Sequence, residues 1–139
     1  MSPALSTLPE GVILLPANEG RHYDCGPMHA IFLADGQESA NRYSVSIWQV
    51  APNQPGPGAH SHDANEEIFY VIEGTMTFQV GEQLLDASTG TFLRIPAGIK
   101  HDFLNRTRES AAVLNVFIPG GFEVHMPSIV EWYRLNPQQ

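Results

Sequence analysis

One stretch decides the fold of this chain: His60-Ser-His-Asp-Ala-Asn-Glu-Glu-Ile-Phe-Tyr-Val-Ile72. His60 and His62 are two residues apart, so in an extended chain both imidazoles project from the same face, close enough to share one metal ion. Glu66 and Glu67 stand at the start of an apolar run, where a buried carboxylate costs free energy unless it is paired or bound to a metal. Both faces of the run are apolar, so alternation does not choose between the two glutamates.

A second stretch lies downstream: Gly90-Thr-Phe-Leu-Arg-Ile-Pro-Ala-Gly-Ile-Lys-His-Asp-Phe-Leu-Asn105. Its Pro96–Gly98 segment predicts a turn that aims the following strand, and we expect His101 to be the second residue of that strand. Phe103 and Asn105 share the face of His101 by alternation. For a single histidine, a hydrogen-bonded position in the core is the alternative to metal binding.

The rest of the chain is typical of an all-β protein. Glycine (12) and proline (11) punctuate it at the spacing of short strands joined by turns. We expect one barrel of two antiparallel sheets with about ten strands between residues 10 and 120. Glu73-Gly74 and Val80-Gly81-Glu82 predict hairpin turns. The predicted strands include residues 43–50, 68–72, 75–80, 90–95 and 111–118.

Both ends of the chain carry weaker signals. Residues 1–20 predict an N-terminal arm with one short apolar strand at Val12–Leu15. Ser128 and Glu131 have the spacing of a capping box, which predicts a C-terminal helix over residues 127–136. One face of that helix is apolar, and we expect it to cover the open end of the barrel.

Composition excludes several classes of function. The 139 residues predict a single domain, and a net charge of -8 argues against a nucleic-acid or anionic-membrane partner, because phosphates require clustered Lys and Arg. Cys25 is the only cysteine, which excludes an intrachain disulfide and a thiolate metal site. The early apolar run is too short for a signal segment or a membrane span, so we expect a cytoplasmic protein.

Together, the two histidine-bearing stretches resemble the two conserved motifs of the cupin superfamily. The separation between them, the fifteen residues 75–89, is typical of small single-domain cupins. The first motif departs from the family pattern at Gln54, where the family has glycine, and we expect Gly56 and Gly58 to supply the turn. The matching positions are His60-x-His62-x4-Glu67-x6-Gly74 in the first motif and Gly90-x5-Pro96-x-Gly98-x2-His101-x3-Asn105 in the second.

The resemblance implies a fold and a metal site. The fold is a double-stranded β-helix (jelly-roll) barrel in one cupin domain over residues 1–139, with the conserved barrel at 40–120. The resemblance identifies Glu67, seven residues before Gly74, as the glutamate of the site. Imidazole and carboxylate ligands without thiolate suit Mn, Fe, Co, Ni, Cu or Zn. The ligands it implies for one such divalent transition metal are His60, His62, Glu67 and His101.

The resemblance also implies a class of function. The segment Phe117-Ile-Pro-Gly-Gly-Phe-Glu123 is similar to quercetin dioxygenase-type cupins, which predicts a metal-dependent dioxygenase acting on a small molecule. Glu67 would be its catalytic residue, a ligand that detaches to act as a base. The alternatives are a metal-dependent isomerase, cyclase or lyase that does not use O2, and a non-catalytic small-molecule-binding cupin.

Two further expectations concern the surroundings of the site. Cupins of this size usually pair, and the apolar segment Val12–Leu15 has no obvious place in a minimal barrel, so we expect a homodimer. Aromatic side chains surround the site either as cavity lining or as plain core. The candidates are Phe69, Phe78, Phe103 and Phe117, with Tyr43, Trp48, His29 and His125 as weaker candidates for polar groups of the pocket.

Overall fold

The structure, a computed structural model, describes residues 8–137. Within that range nine strands form two antiparallel sheets that close into a jelly-roll barrel, which confirms the predicted fold class. Two short 3-10 helices, Gly36–Ser39 and Phe122–His125, and one α-helix complete it. The elements are β1 Arg21–Cys25, β2 Met28–Ala34, β3 Ser44–Val50, β4 Glu66–Glu73, β5 Thr75–Val80, β6 Gln83–Ser88, β7 Phe92–Ile95, β8 His101–Leu104, β9 Ala111–Ile118 and α1 Met126–Leu135.

The larger sheet has six strands in the order β1-β2-β3-β9-β4-β7. Its inner face is built by alternation: in β3, every second residue from Ser44 to Val50 is buried, and the residues between them face outward. β9 pairs on one side with β3 and on the other with β4. Because β9 lies beside β4 in this sheet, the inward-facing side chains of the two strands are neighbours in the barrel interior.

The smaller sheet has three strands in the order β6-β5-β8. Gly81 and Glu82 form the two-residue connection of the β5–β6 hairpin, as predicted. The predicted hairpin at Glu73-Gly74 is wrong, because β4 pairs with β7 and β9 whereas β5 pairs with β6 and β8. Gly74 instead lets the chain pass from one sheet to the other with φ of +65°, at a point where a Cβ would lie 2.4 Å from the Ser110 carbonyl oxygen.

The N-terminal arm and the strand count differ from the prediction. Residues 8–137 contain nine strands instead of about ten, and Val12–Leu15 is not a strand. An apolar run does not by itself provide a neighbouring strand, and this run lies on the surface with 39–52% of each residue exposed. β1 and β2 were not predicted, and β1, Arg-His-Tyr-Asp-Cys, has only two apolar residues and is defined by its pairing with β2.

The C-terminal helix is confirmed, but its start was predicted wrongly. α1 begins at Met126 with Pro127 in its first turn, so Ser128 lies inside the helix and does not cap it. Glu131 accepts hydrogen bonds from Arg134 instead. Met126 is fully buried against the barrel core, as a lid over its end requires. No helix among the described residues is long and apolar enough to cross a membrane.

The homodimer stays a prediction, and the outer face of the large sheet is where we expect it to form. Cross-strand neighbours there make a continuous apolar row from Ile47 through Leu114 and Tyr70 to Phe92. Leu15 of the arm lines the same surface groove as Ile47 and Ile72. An apolar area of this kind is typical of a surface that a partner covers.

We expect Ile72→Glu to shift the protein toward monomer in sedimentation velocity at micromolar concentration. Ile72 is 42% exposed, so its replacement places a charge in the expected interface without disturbing the core. Leu84→Glu is the matched control, since Leu84 is 54% exposed on the smaller sheet. A wild-type protein that sediments as a monomer at this concentration would contradict the prediction.

Candidate metal centre

Backbone hydrogen bonds bring the two histidine-bearing segments together. The His60 N–H donates to the His101 carbonyl oxygen at 2.9 Å, and the His101 N–H donates to the His60 carbonyl oxygen at 2.8 Å. The Gly98 N–H donates to the His62 carbonyl oxygen at 2.8 Å, so the predicted Pro96–Gly98 turn is also tied to the first segment. His101 is the first residue of β8, one position earlier in the strand than predicted. The pairing holds three imidazoles at one end of the barrel.

Strand alternation separates the two glutamates. Glu67 is 7% exposed and points into the barrel, whereas Glu66 points outward and binds Arg94 with an Nη2–Oε2 distance of 2.6 Å. The neighbours of Glu67 on β4 follow the same rule, since Phe69 is buried and Ile68 is not. The structure therefore places Glu67, and not Glu66, beside the histidines.

The four predicted side chains form one cluster. One potential ligand atom from each of His60, His62, Glu67 and His101 lies within 4.8 Å of the others. Glu67 Oε2 is 2.7 Å from His101 Nε2 and 3.3 Å from His62 Nε2. The ring centroids of His60 and His101 are 4.5 Å apart. The cluster is half-buried on the side of His60 and His62 and buried at Glu67 and His101.

Backbone carbonyl groups orient two of the imidazoles. His60 Nδ1 is 2.7 Å from the Gly58 carbonyl oxygen, and His101 Nδ1 is 2.9 Å from the Ile99 carbonyl oxygen. A carbonyl only accepts, so in each case Nδ1 carries the proton and Nε2 faces the cluster. This arrangement presents Nε2 as the coordinating atom, as is usual when the other ring nitrogen of a metal-binding histidine is hydrogen-bonded.

Burial and mutual contacts shift the pKa values of the cluster in opposite directions. Burial works to raise the pKa of Glu67, but the contacts with His101 and His62 outweigh it and lower that pKa to about 2. Burial works to lower the pKa of His101, but the hydrogen bonds to Glu67 and to the Ile99 carbonyl raise it. Desolvation lowers the pKa of His60. Glu67 is therefore an anion held by the histidines around it.

The donor set fits a divalent transition metal. His62 Nε2 is buried and makes no hydrogen bond, although it lies 3.3 Å from Glu67 Oε2. A buried ring nitrogen without a hydrogen bond is costly, and coordination to an ion would relieve that cost. Three imidazoles and one carboxylate suit first-row divalent ions that bind at about 2.0–2.2 Å. The cluster thus fits a divalent metal site of the kind typical of cupins.

Asn115 is a member of the site that the sequence analysis did not identify. Its Nδ2 donates to Glu67 Oε1 at 2.9 Å, and the residue is 5% exposed. The hydrogen bond fixes the carboxylate so that Oε2 faces the histidines. A signal was present in the sequence, since Asn115 is the one polar residue in the apolar run Ala111–Ile118, and a buried amide needs a partner.

The other predicted residues divide into lining, core and surface. A narrow cavity of about 30 Å³ adjoins the cluster, with Trp48, Phe69, Phe103 and Phe122 among its lining residues. Phe78 is fully buried against Phe69 in the core. Phe117 contacts the ring of His62. The weaker candidates Tyr43, His29 and His125 are not among the lining residues of this cavity, and His29 contacts His22 instead.

The comparisons with known proteins agree with this geometry. The family model Cupin_2, a cupin domain, matches residues 46–117, which hold all four cluster residues. Quercetin 2,3-dioxygenase of Bacillus subtilis (strain 168) is 29% identical to the chain over 133 residues. The aligned region is 94% of this chain but 39% of that enzyme, so the chain spans about two fifths of the length of that enzyme.

Solved structures share the fold at low sequence identity. KdgF from Halomonas sp. superimposes with a TM-score of 0.68 at 15% identity, over 78% of this chain and 94% of that one. The polyketide cyclase RemF from Streptomyces resistomycificus superimposes with a TM-score of 0.64 at 22% identity, over 77% of this chain and 79% of that one. At these identities the likeness shows a common barrel and nothing about activity.

We expect His101→Ala to abolish tight binding of one divalent ion per chain, measured by calorimetric titration with Zn²⁺ or Co²⁺. His101 is 3% exposed and its Nε2 faces the cluster, so alanine removes a ligand that water replaces poorly. Glu66→Ala is the matched control, because it removes a carboxylate one residue away that points outward. Wild-type affinity in His101→Ala, or lost affinity in Glu66→Ala with Glu67→Ala unaffected, would disprove the assignment.

We expect Asn115→Ala to weaken the affinity for the same ion by about 10–100-fold, the usual effect of removing a group that orients a ligand. The substitution leaves all four ligand side chains in place but frees Glu67 Oε1 from its donor. The melting temperature of the metal-free variant serves as the control for folding. Unchanged affinity in a folded Asn115→Ala protein would show that Glu67 does not need this hydrogen bond.

Proposed function

The chain belongs to the Cupin_2 family, and from that membership and its three-histidine, one-glutamate cluster we propose that it is a metal-dependent dioxygenase of the quercetinase-like type. The proposed substrate is a small neutral molecule that bears an enol or phenol group. His60, His62, Glu67 and His101 are the proposed ligands of one divalent transition metal. The chain spans 39% of the length of the Bacillus subtilis dioxygenase, so the assignment of a complete dioxygenase activity to this chain is itself part of the proposal.

The observation that carries the proposal is the meeting of a metal-type donor set with an aromatic cavity. The cavity beside the cluster has Glu67 and Asn115 on one wall and Trp48, Phe69 and Phe122 among its apolar walls. A few convergent polar groups in a mostly apolar site are typical of a site for a small organic ligand. Such a site favours a ligand with one oxygen-bearing edge and an otherwise apolar body.

The chain's own residues would position that edge and take up its proton. A bound divalent ion would supply a Lewis acid for the substrate oxygen. Glu67 presents Oε2 toward the histidines while Asn115 holds Oε1, so Oε2 is the atom to which a substrate hydroxyl proton would pass. Glu67 is thereby the proposed catalytic base, and it would act after detaching from the histidine contacts that lower its pKa to about 2.

Burial around the cluster would exclude bulk water during the reaction. Phe69 and Phe103 are 2% and 5% exposed, belong to the core and also line the cavity beside the cluster. A dry apolar wall protects a reactive enolate or phenolate from protonation by solvent. The small volume of the cavity, about 30 Å³, leaves room for about one water molecule beside the cluster.

We expect metal-loaded protein to consume O2 when it is given a flavonol or a β-diketone from a small panel, as recorded with an oxygen electrode. Both oxygen atoms of O2 enter the product of a dioxygenase, so product formed under ¹⁸O2 should gain two labelled atoms. Uptake should be lost in His101→Ala and kept in Glu66→Ala, because only His101 belongs to the cluster.

Two outcomes would replace the proposal with an alternative. Conversion of a panel substrate under nitrogen would indicate an isomerase, cyclase or lyase that uses the same site without O2. Tight binding of panel compounds with no conversion in either gas would indicate a non-catalytic binding protein. In each case the ligand assignment would stand and the dioxygenase assignment would be wrong.

A further inference from the structure

A second apolar space lies next to the metal-site cavity, beneath α1. It has a volume of about 260 Å³ and opens to the surface beside Trp132, which is 54% exposed. We call it the aromatic groove, and its lining includes Trp48, Pro57, Phe122, Ile129 and Trp132. The groove is therefore built jointly by the barrel, the loop before His60 and the C-terminal helix.

The aromatic groove adjoins the cavity at the cluster. Trp48, Pro57 and Phe122 line both spaces. The ring of Phe122 stands edge-on to the ring of His62, with centroids 6.2 Å apart, and also edge-on to the indole of Trp48 at 6.2 Å. Phe122 thus forms the partition between the metal-type site and the groove.

The backbone on both sides of Phe122 is anchored to the barrel. The Gly121 N–H donates to Ser44 Oγ at 2.8 Å, and Ser44 Oγ donates to Glu123 Oε1 at 2.8 Å. Glu123 Oε2 also accepts the Gly36 N–H at 3.0 Å. These bonds hold the backbone of Phe122 in place, so its ring is attached at a fixed point between the two spaces.

The two spaces differ greatly in size, and the difference orients a ligand. The inner cavity of about 30 Å³ holds an oxygen-bearing edge but not a ring, whereas the groove of about 260 Å³ approaches the size at which ligand pockets begin, about 300 Å³. A ring attached to that edge would therefore lie in the groove. Its faces would meet Trp48 and Trp132.

The chemistry of the groove favours an uncharged aromatic ring. None of the residues that line it is charged, and the chain as a whole carries a net charge of -8, which disfavours anions. Trp48 Nε1 donates to Ser46 Oγ at 3.0 Å, so the indole satisfies its polar atom elsewhere and offers apolar surface to the groove. Aromatic rings gain from offset and edge-to-face contacts in addition to burial.

We propose that the aromatic groove binds the ring of a neutral aromatic ligand whose oxygen-bearing edge faces the His60, His62, Glu67 and His101 cluster. This inference rests on the proposed function, because it assigns the outer half of the same substrate site. It makes Trp132 and Ile129 of α1 specificity-determining residues, although neither belongs to the metal-type cluster.

The chain provides its own reporter for this site. It contains two tryptophans, Trp48 and Trp132, and both line the groove. Flavone, which has the rings of a flavonol but no hydroxyl group, is a suitable probe because it has no acidic group to offer a metal. We expect flavone to quench tryptophan emission to the same extent in wild-type protein and in His101→Ala. No quenching, or quenching lost in His101→Ala, would overturn the proposal.

Substitutions in α1 locate the binding. By calorimetry, Trp132→Ala should weaken flavone binding about tenfold, and Trp132→Phe should restore most of the affinity by restoring a ring. Leu135→Ala is the matched control, since Leu135 is 62% exposed on the same helix and does not line the groove. Equal effects of Trp132→Ala and Leu135→Ala would overturn the proposal, and the melting temperatures of the variants identify any that fail to fold.

Steady-state kinetics separate this inference from the proposed function. With a flavonol that wild-type protein turns over, Trp132→Ala should raise KM about tenfold and leave kcat unchanged, because the groove holds the ring and not the reacting atoms. If Trp132→Ala turned over the flavonol with an unchanged KM, the groove proposal would be wrong and the dioxygenase proposal would be supported. Flavone binding that depends on Trp132, in a protein that turns over nothing, would support the groove and overturn the dioxygenase.

Discussion

The pair of backbone hydrogen bonds between His60 and His101 is the constraint on which the site depends. It joins His60, which lies outside both sheets, to His101, the first residue of β8 and 41 positions later in the sequence. Side chains of paired residues on neighbouring strands lie on the same side, so the pairing itself brings both imidazoles to one face. The contact is made by main-chain atoms, and the side chains are therefore left to coordinate.

The second constraint is the burial of a carboxylate inside an apolar barrel. Glu67 is buried with one oxygen on Asn115 and the other on the histidines, so both oxygens have partners. A buried anion without such partners would cost several kcal/mol. The alternation of β4 and β9 supplies them from two directions, since Asn115 stands opposite Phe69, two residues beyond Glu67. The geometry of the site is thus a product of sheet register as much as of residue identity.

The sequence predicts those parts of the structure that depend on local chemistry or on a recognisable pattern. β3, β5 and β9 match the predicted strands within one residue, and the cluster contains the four predicted residues. The choice between Glu66 and Glu67 needed the family resemblance, because both faces of β4 are apolar in sequence. In the structure, Glu66 points outward and forms an ion pair with Arg94, which leaves Glu67 as the glutamate that faces the histidines.

Other features depend on partners that are distant in the chain, and the sequence does not contain them in readable form. β1 is defined by its pairing with β2, and Val12–Leu15 lacks a strand partner although it is the more apolar segment. Glu73-Gly74 has the sequence of a hairpin turn. Because β5 pairs with β6 and not with β4, Gly74 instead connects the two sheets. Phe122 and Trp132 line the same groove because a 3-10 helix and then α1 follow β9 and return over the barrel.

Gly56 has a consequence for the redesign of this chain by family consensus. The family pattern places glycine at position 54, but here Gln54 forms a β-bridge with Asn105, and both backbone N–H groups of that bridge are used. Gly56 takes over the close approach, since a Cβ there would lie 1.6 Å from the Phe103 carbonyl oxygen. A consensus substitution at position 54 would add flexibility where the bridge needs none, and any residue other than glycine at position 56 would push the loop away from β8.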